Sequence, residues 1–298
     1  HIRHRPRSVE RCASHAGAGD GRSKGVARHV RLTHGARLEA VRQLAQTTNA
    51  AASALLKRLA TDARENVELR CEALAALTGN SLEVAFLLPL LGDSSSFVRT
   101  EAIRALRGRA SEPLVRETLG RLLNSTADGD AVLREQVWFA LDDPGRQAVF
   151  ATSLASPVTD EEWRKALANA GAPSSGRRIF FNASTGCARC HRIEDQGGQI
   201  GPDLSAVARG ADREKLMQSL LHPSRDIAPE FVAHTLTTKD DQEFTGLLIG
   251  QSVNEGVTLF MADGRAVLIP PALIESQTQS QVSLMPEGLV SALTVQDF

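Results

Sequence analysis

The sequence is poor in aromatic residues and in cysteine. It has no tyrosine, and aromatic residues make up 4% of its 298 residues. Four cysteines in a chain of this length do not form a disulfide framework. No stretch approaches the roughly 18 apolar residues of a membrane span, and a formal net charge of -1 gives no overall field that attracts nucleic acid. What remains is a globular chain, 42% hydrophobic, whose length predicts two structural units.

Residues 1–36 form a basic segment of uncertain order. Nine Lys or Arg lie in residues 1–37 against two Asp or Glu. This charge suits an anionic partner, but a solvated arm is the simpler interpretation. Four histidines share no helical face and no acids join them, so they do not predict a metal site: His4, His15, His29 and His34. Because the chain starts at His1 and not at Met, we interpret it as a fragment or a processed form.

Four similar octets follow, each beginning with Arg and ending with Leu. The third position is Glu or Gln, and the fourth, fifth and eighth positions fall on one face of a helix. The octets are RLEAVRQL from Arg37, RCEALAAL from Arg70, RTEAIRAL from Arg99 and REQVWFAL from Arg134. We expect the repeated arginine to pair with an acid in a neighbouring repeat. Cys71, within the second octet, is expected to be a small core residue.

A second apolar helix precedes each of the last three octets, so helix pairs repeat along residues 37–172. One pair cannot bury its own apolar face, whereas stacked pairs share a continuous core. The pattern is similar to HEAT-like helical repeats, with a period of about 30 residues that is shorter than theirs. These repeats are interpreted either as a concave docking surface or as a spacer that positions the next domain.

One more helix is predicted before the second domain. Thr159 to Glu162, read as TDEE, fits a capping box, and the helix should run to Gly171. Pro173 is a stop signal. The stretch GAPSSG at 171–176 is therefore the predicted domain boundary.

Cys187, Cys190 and His191 form the motif C-x-x-C-H, which is the attachment signal of c-type haem. Two thiols three positions apart reach the two vinyl groups on one edge of a porphyrin, and the adjacent imidazole then lies under the iron. The motif predicts a covalent haem c, with the two cysteines as tethers and His191 as an iron ligand.

Three other interpretations of the motif stay open. A zinc site needs a second ligand pair, but no cysteine follows Cys190, and His222 and His234 are isolated. A thioredoxin-like dithiol needs a strand before the motif and a helix after it. The third interpretation is two buried cysteines beside a chance histidine.

The flanking residues favour haem. A short helix with Ile179 and Phe180 precedes the motif, and the loop GGQIGPDLS follows it. The Gly-Pro turn in this loop is expected to aim the Pro202 carbonyl at the second nitrogen of His191, because such bonds fix the ring of a metal-bound histidine. This order of helix, CxxCH, loop and GPxL is similar to that of cytochrome c.

Residues 176–289 resemble the haem-binding CxxCH domain of planctomycete and verrucomicrobial proteins, which often follows HEAT-like repeats and a sugar-dehydrogenase-like propeller. The matching stretches are GRRIFF, CARCH, GPDLS, LMQSLLHPSRDI and MPEGL. The resemblance implies one covalent haem c with Met285 as its sixth ligand. It also implies a periplasmic or otherwise exported protein, and a redox partner or an upstream dehydrogenase-like domain. No propeller is present in this chain, so no dehydrogenase activity is implied.

Two features depart from that family. Phe231 stands where members usually carry Tyr, and the stretch LTVQDF looks like the beginning of a C-terminal helix. The other methionines have simpler roles, because Met217 lies on an apolar helix face and Met261 ends a strand-like stretch. Met285 instead lies in SLMPEGL, where Pro and Gly fix a turn.

The predicted fold class is mainly α, with a HEAT-like α-solenoid followed by a c-type cytochrome domain at 173–298. A period-two pattern at about 230–270 predicts a small antiparallel β insertion in that domain. The main functional hypothesis is an electron-transfer protein, with no catalytic residue assigned and no nucleic-acid partner. The alternatives are a haem enzyme that reacts with peroxide or a gas at an open sixth position, and a HEAT scaffold without haem.

Overall fold

The computed structural model describes residues 33–47, 49–78, 82–125, 130–141, 157–169, 171–182 and 184–298. Residues 1–32 of the predicted basic segment lie outside these ranges. They include Cys12 and three of the four histidines named above, so only His34 is described. The first helix begins at His34, three residues before the first octet. No described helix combines the length and the apolar composition that a membrane crossing requires.

The N-terminal part is helical. Its helices are α1 (His34–Ala45), α2 (Ala50–Thr61), α3 (Val67–Thr78), α4 (Val84–Leu87), α5 (Ser96–Ala105), α6 (Pro113–Ser125) and α7 (Ala131–Ala140). After α4 the chain continues as a 3-10 helix, Leu88–Gly92, because Pro89 has no amide hydrogen for an α-helical bond. Helices α1, α3, α5 and α7 contact one another in that order, and α2, the 3-10 helix and α6 pack against this row.

The apolar octet positions form the core of the helical part. The fourth, fifth and eighth positions of the second and third octets are at most 1% exposed, and they are Ala73, Leu74, Leu77, Ala102, Ile103 and Leu106. Cys71 is buried in the same core, where burial raises the pKa of its thiol to about 12. Its predicted role as a core residue is confirmed.

The first-position arginines of three octets bind acids that lie before the next octet helix. The pairs are Arg37–Glu65, Arg70–Asp93 and Arg99–Asp130. Arg70 is the most buried of the three arginines, with 3% of its side chain exposed, and it also donates to the carbonyl of Ala60 at 3.1 Å. The predicted pairing between neighbouring repeats is therefore confirmed for these octets.

The C-terminal part combines short helices with a sheet. The helices are α8 (Asp160–Ala166), α9 (Pro173–Phe181), α10 (Cys187–Cys190) and α11 (Arg213–Leu221), and β1 (Arg192–Ile193) pairs with β2 (Gln196–Gly197). The sheet contains β3 (Ala233–Thr238), β4 (Glu243–Ser252), β5 (Gly256–Met261), β6 (Ala266–Ile269) and β7 (Ile274–Gln279). Its order is β6-β5-β4-β3-β7, with antiparallel neighbours throughout.

The structure corrects two sequence-based boundaries. Helix α8 has the predicted capping box but ends at Ala166 and not at Gly171, because the Ala168 amide bonds to the Lys165 carbonyl three residues back and so tightens the last turn. Pro173, within the predicted boundary GAPSSG, opens α9, because a proline without an amide hydrogen is favoured in the first turn of a helix. The sheet also extends past residue 270, because the polar stretch IESQTQ pairs with β3 as an edge strand.

Third-position acids of the octets hold the first helix of the C-terminal domain. Arg178 on α9 donates from Nε to Oε1 of Glu101 on α5 at 2.7 Å. Its Nη1 lies 3.7 Å from Oε2 of Glu72 on α3. All three side chains are less than 10% exposed. This buried ion-pair network joins α9 to the row of octet helices.

The end of the C-terminal domain enters the same network. The carboxylate of Asp297 is fully buried and accepts from Arg104 at 2.5 Å and from Arg107 at 2.6 Å. It also accepts from the amide of Gln136, the third-position residue of the fourth octet, at 2.9 Å. We call Glu72, Glu101, Gln136, Arg104, Arg107, Arg178 and Asp297 the interface network.

Residues 294–298 form a hydrogen-bonded turn. The Asp297 amide donates to Thr294 Oγ1 at 3.1 Å, and the Thr294 amide donates to the Asp297 carboxylate at 3.3 Å. These reciprocal bonds are those of a capping box, so LTVQDF has the local geometry of a helix N-terminus, as the sequence predicted. The Phe298 ring packs on Trp163 of α8 with the ring centroids 4.9 Å apart.

Replacing Asp297 with Asn should destabilise the fold strongly. The change removes the acidic partner of Arg107 and one of the two acidic partners of Arg104, which keeps Glu101, and losing one partner of a buried ion pair costs about 3 kcal/mol or more. The measurement is the free energy of unfolding in urea, followed by circular dichroism. Asp263→Asn is the matched control, because Asp263 pairs with Arg265 in an exposed hairpin and should change little. Equal effects of the two substitutions would contradict the assigned role of Asp297.

The stabilisation by Asp297 should also depend on pH. Burial acts to raise the pKa of Asp297, but the charges of Arg104 and Arg107 outweigh it and hold the pKa below its ordinary value. A carboxyl with a lowered folded-state pKa stabilises fully above the unfolded pKa of about 4 and loses this effect as pH falls through the folded value. The difference in stability between wild type and Asp297→Asn should therefore be constant from pH 7 to about pH 5 and shrink in stronger acid.

Candidate functional site

The two motif cysteines lie on one helical turn, α10. Gly186 precedes the turn with a φ of 74°, a left-handed conformation that glycine adopts without strain. The hydroxyl of Thr185 donates to the Ile179 carbonyl at 2.6 Å, which ties the start of the turn to α9. Cys187 and Cys190 are half-buried and are not joined in a disulfide. The turn therefore presents two thiols on one short rigid element.

His191 follows the turn directly, and its ring is oriented by one hydrogen bond. Nδ1 lies 3.0 Å from the carbonyl oxygen of Pro202. A carbonyl oxygen only accepts, so Nδ1 is the donor, and in the neutral ring the lone pair is then on Nε2. This is the contact that the Gly-Pro turn predicts. It leaves Nε2, the nitrogen that would bind a metal, without a hydrogen-bonding partner in the part of the chain that the structure describes.

Three glycines of the following loop lie against the backbone and ring of the motif. A Cβ at Gly198 would sit 1.9 Å from the Arg189 carbonyl oxygen, and one at Gly197 would sit 2.2 Å from that of His191. A Cβ at Gly201 would sit 2.7 Å from Cε1 of the His191 ring. The amide of Gly201 donates to the Cys190 carbonyl at 2.8 Å. Gly201 belongs to the predicted Gly-Pro turn, but Gly197 and Gly198 had no predicted role, although the density of glycine in GGQIGP was the available signal.

The GPDLS stretch closes this loop onto β1. Bonds from the Ser205 hydroxyl and amide, together with Arg192, lower the pKa of Asp203 to about 2. The amide of Leu204 donates to the Arg192 carbonyl at 2.8 Å. Asp203 is therefore ionised at neutral pH and holds the loop that supplies the Pro202 carbonyl. The loop and the motif form one hydrogen-bonded unit.

The rival interpretations of the motif find little support in this geometry. In the described ranges, no group of three or more His, Cys, Asp or Glu is placed to hold a metal ion, as a zinc site would require. The element before Cys187 is helix α9, and the element after His191 is a hairpin of the two short strands β1 and β2. A thioredoxin-like site would instead have a strand before the motif and a helix after it. Burial raises the pKa of the Cys190 thiol, so at neutral pH it is not a thiolate nucleophile.

The three methionines have different surroundings. Met217 is 5% exposed on α11, and Met261 packs against the core of the sheet, so the packing role predicted for both is confirmed. Met285 is half-buried in the irregular segment after β7, and its amide donates to the Ser283 hydroxyl at 3.1 Å. Phe231 ends a 3-10 helix, Pro229–Phe231, just before β3.

Comparison with known proteins adds one finding. Residues 174–244 match the family model described as Cytochrome c. The match runs from α9 through the CARCH turn and α11 into β4, and includes neither the octet helices nor Met285. It supports a cytochrome c-like haem-binding domain with a role in electron transfer, and domains of this family carry covalent haem c and are typically exported. None of the curated proteins matches the chain.

The residues of the site fit a haem c. Two unpaired thiols share a turn, and the imidazole beside them is held by Pro202 with Nε2 available. The loop against the ring has no side chain at Gly201 to obstruct it. Cys187 and Cys190 would hold the porphyrin edge, and His191 would ligate the iron.

Gly201→Ala should reduce haem attachment. Its Cβ would overlap the His191 ring and break the contact with Pro202, and loss of such an orienting bond weakens a metal site about tenfold or more. The measurement is the fraction of chains with covalent haem, by stained denaturing gel, after expression with the cytochrome c maturation machinery. Gly210→Ala is the control, because a Cβ there meets nothing within 4 Å. Equal haem content in both variants would contradict the proposed packing.

Proposed function

We propose that residues 173–298 form a c-type cytochrome domain that carries one haem and transfers electrons. Thioether bonds to Cys187 and Cys190 attach the haem, and His191 and Met285 ligate its iron. The observation that carries this proposal is the 3.0 Å contact between His191 Nδ1 and the Pro202 carbonyl, beside two free thiols on one turn. The match of residues 174–244 to the Cytochrome c family supports it.

The haem supplies one-electron chemistry, since its iron cycles between Fe(II) and Fe(III). The protein fixes the orientation of the His191 ring. Pro202 keeps the proton of His191 on Nδ1 and makes Nε2 a better donor to a metal. The glycine loop keeps the ring in one orientation, because Gly201 lies directly against it. A site that moves little between two oxidation states favours electron transfer.

Met285 is the methionine best suited to be the sixth ligand. The other two are engaged in packing, Met217 on α11 and Met261 against the sheet. Met285 lies outside helix and strand in a segment whose backbone is held by side chains. As a soft thioether ligand, Met285 would favour Fe(II) and raise the reduction potential of the haem.

The helical part is proposed to be a HEAT-like α-solenoid over residues 37–172 that positions the cytochrome domain. Its support is the row of contacts α1, α3, α5, α7, with the other helices packed against that row. Two of its third-position acids, Glu72 and Glu101, face Arg178 of the cytochrome domain. These ion pairs favour the interpretation of the helices as a spacer that positions the cytochrome domain.

The setting of the protein is proposed from the family resemblance. A domain of the planctomycete and verrucomicrobial type, with haem attached outside the cytoplasmic membrane, would act in the periplasm or another exported location. Its electrons would pass to or from a redox partner protein, or an upstream dehydrogenase-like domain. Candidate partners are identified by mixing them with the reduced protein and following the haem spectrum.

The double substitution Cys187→Ala with Cys190→Ala should abolish covalent haem. Only thioether-bound haem survives a denaturing gel, so the variant band should lose all haem stain, and its mass should be that of the bare polypeptide. Cys71→Ala is the control and should keep its haem, because Cys71 lies in the helical core. A wild-type chain without stain from a competent host would favour a helical scaffold without haem.

Met285→Ala should remove the weak near-infrared band that a methionine-to-iron bond gives in the ferric protein. Met261→Leu is the matched control and should keep the band, because it replaces one packing residue with another of similar volume. An unchanged spectrum in Met285→Ala would contradict this ligand assignment. A wild type that lacks the band would favour an open sixth position that binds peroxide or a gas.

A further inference from the structure

The segment His222–Asp226, which we call the HPSRD segment, joins α11 to the residues before the sheet. Every side chain in it is engaged. Pro223 is buried, and the other four have polar partners, which are Asp160 for His222, the Ser283 amide for Ser224, Gln218 for Arg225 and Lys215 for Asp226. Such complete pairing of a short connection indicates that its position matters.

Two hydrogen bonds in series run from this segment to Met285. The amide of Ser283 donates to the Ser224 hydroxyl at 3.2 Å. The amide of Met285 then donates to the Ser283 hydroxyl at 3.1 Å. Both amides lie between β7 and the 3-10 helix Leu289–Ala292, where no strand pairing fixes the backbone. The hydroxyls of Ser224 and Ser283 therefore hold this backbone in place, as backbone hydrogen bonds hold a strand inside a sheet.

The other end of the HPSRD segment is fixed to the helix α8. His222 Nε2 lies 2.8 Å from Oδ1 of Asp160, and the Gln218 amide donates to the other oxygen of Asp160 at 3.0 Å. Helix α8 in turn packs on the end of the chain through Trp163 and Phe298. The Met285 segment is thus connected through Ser224 to the rigid part of the domain.

We infer that Ser224 is a positioning residue for Met285, acting through Ser283. This rests on the proposed role of Met285 as sixth ligand. By holding the segment closed, the two serines keep the thioether in place and disfavour its replacement by an external ligand. Loss of the Ser224 hydroxyl leaves the Ser283 amide without its acceptor, and the Met285 segment then opens more easily.

The test is imidazole binding to the ferric full-length holoprotein, followed by loss of the near-infrared methionine band. Ser224→Ala should bind imidazole about threefold to tenfold more tightly than wild type, the change in an equilibrium constant that one hydrogen bond produces. Ser224→Thr keeps the hydroxyl and should restore wild-type affinity. Ser219→Ala is the matched control, because Ser219 is exposed on α11 and bonds only to the Lys215 carbonyl.

A second variant distinguishes loss of this hydrogen-bond series from a local folding defect at Ser224. Ser283→Ala removes the acceptor of the Met285 amide and should raise imidazole affinity in the same direction. If wild type shows the methionine band and both alanine variants bind imidazole as Ser219→Ala does, Ser224 has no positioning role. If wild type lacks the band, the sixth-ligand assignment itself is wrong, and this inference falls with it.

Discussion

The buried charges between the octet helices and the cytochrome domain are the constraint on which the rest of the structure depends. Arg178 and Asp297 lie near the two ends of residues 173–298, and both are buried against the same row of helices. A buried charge without a partner is so unfavourable that each must keep its counter-charge. The first helix and the final turn of the domain are therefore held in fixed places, and the residues between them build the haem site on that frame.

Within this frame the site is formed by local backbone geometry more than by side chains. A single turn carries both thiols, and glycines let the following loop lie against His191 closely enough for the Pro202 carbonyl to reach its ring. Asp203 closes that loop onto β1. The segment of Met285, the proposed sixth ligand, is organised differently, because its irregular backbone is held by the hydroxyls of Ser224 and Ser283. The loop against His191 thus depends on the absence of side chains, whereas the Met285 segment depends on side-chain hydrogen bonds.

Features with a short sequence range could be predicted from the sequence. The capping box at Thr159, the pairing of the octet arginines and the contact of Pro202 with His191 each depend on a few neighbouring residues or on a strict repeat. The strand β7 could not be predicted, because its polar residues form a strand only when β3 supplies hydrogen bonds. The interface network was also missed. The third-position Glu or Gln of each octet was visible, but a partner such as Asp297, far along the chain, leaves no local pattern.

The interface network limits how its residues can change during evolution. Glu101 and Arg178 belong to different structural parts, yet a change in one removes a buried counter-charge of the other. In homologous proteins we expect the two residues either to be retained together or to change together. A gene fusion that moved residues 173–298 alone to another protein would separate Arg178 and Asp297 from their charged partners on the octet helices. The cytochrome domain and its helices are in this sense one unit of evolution.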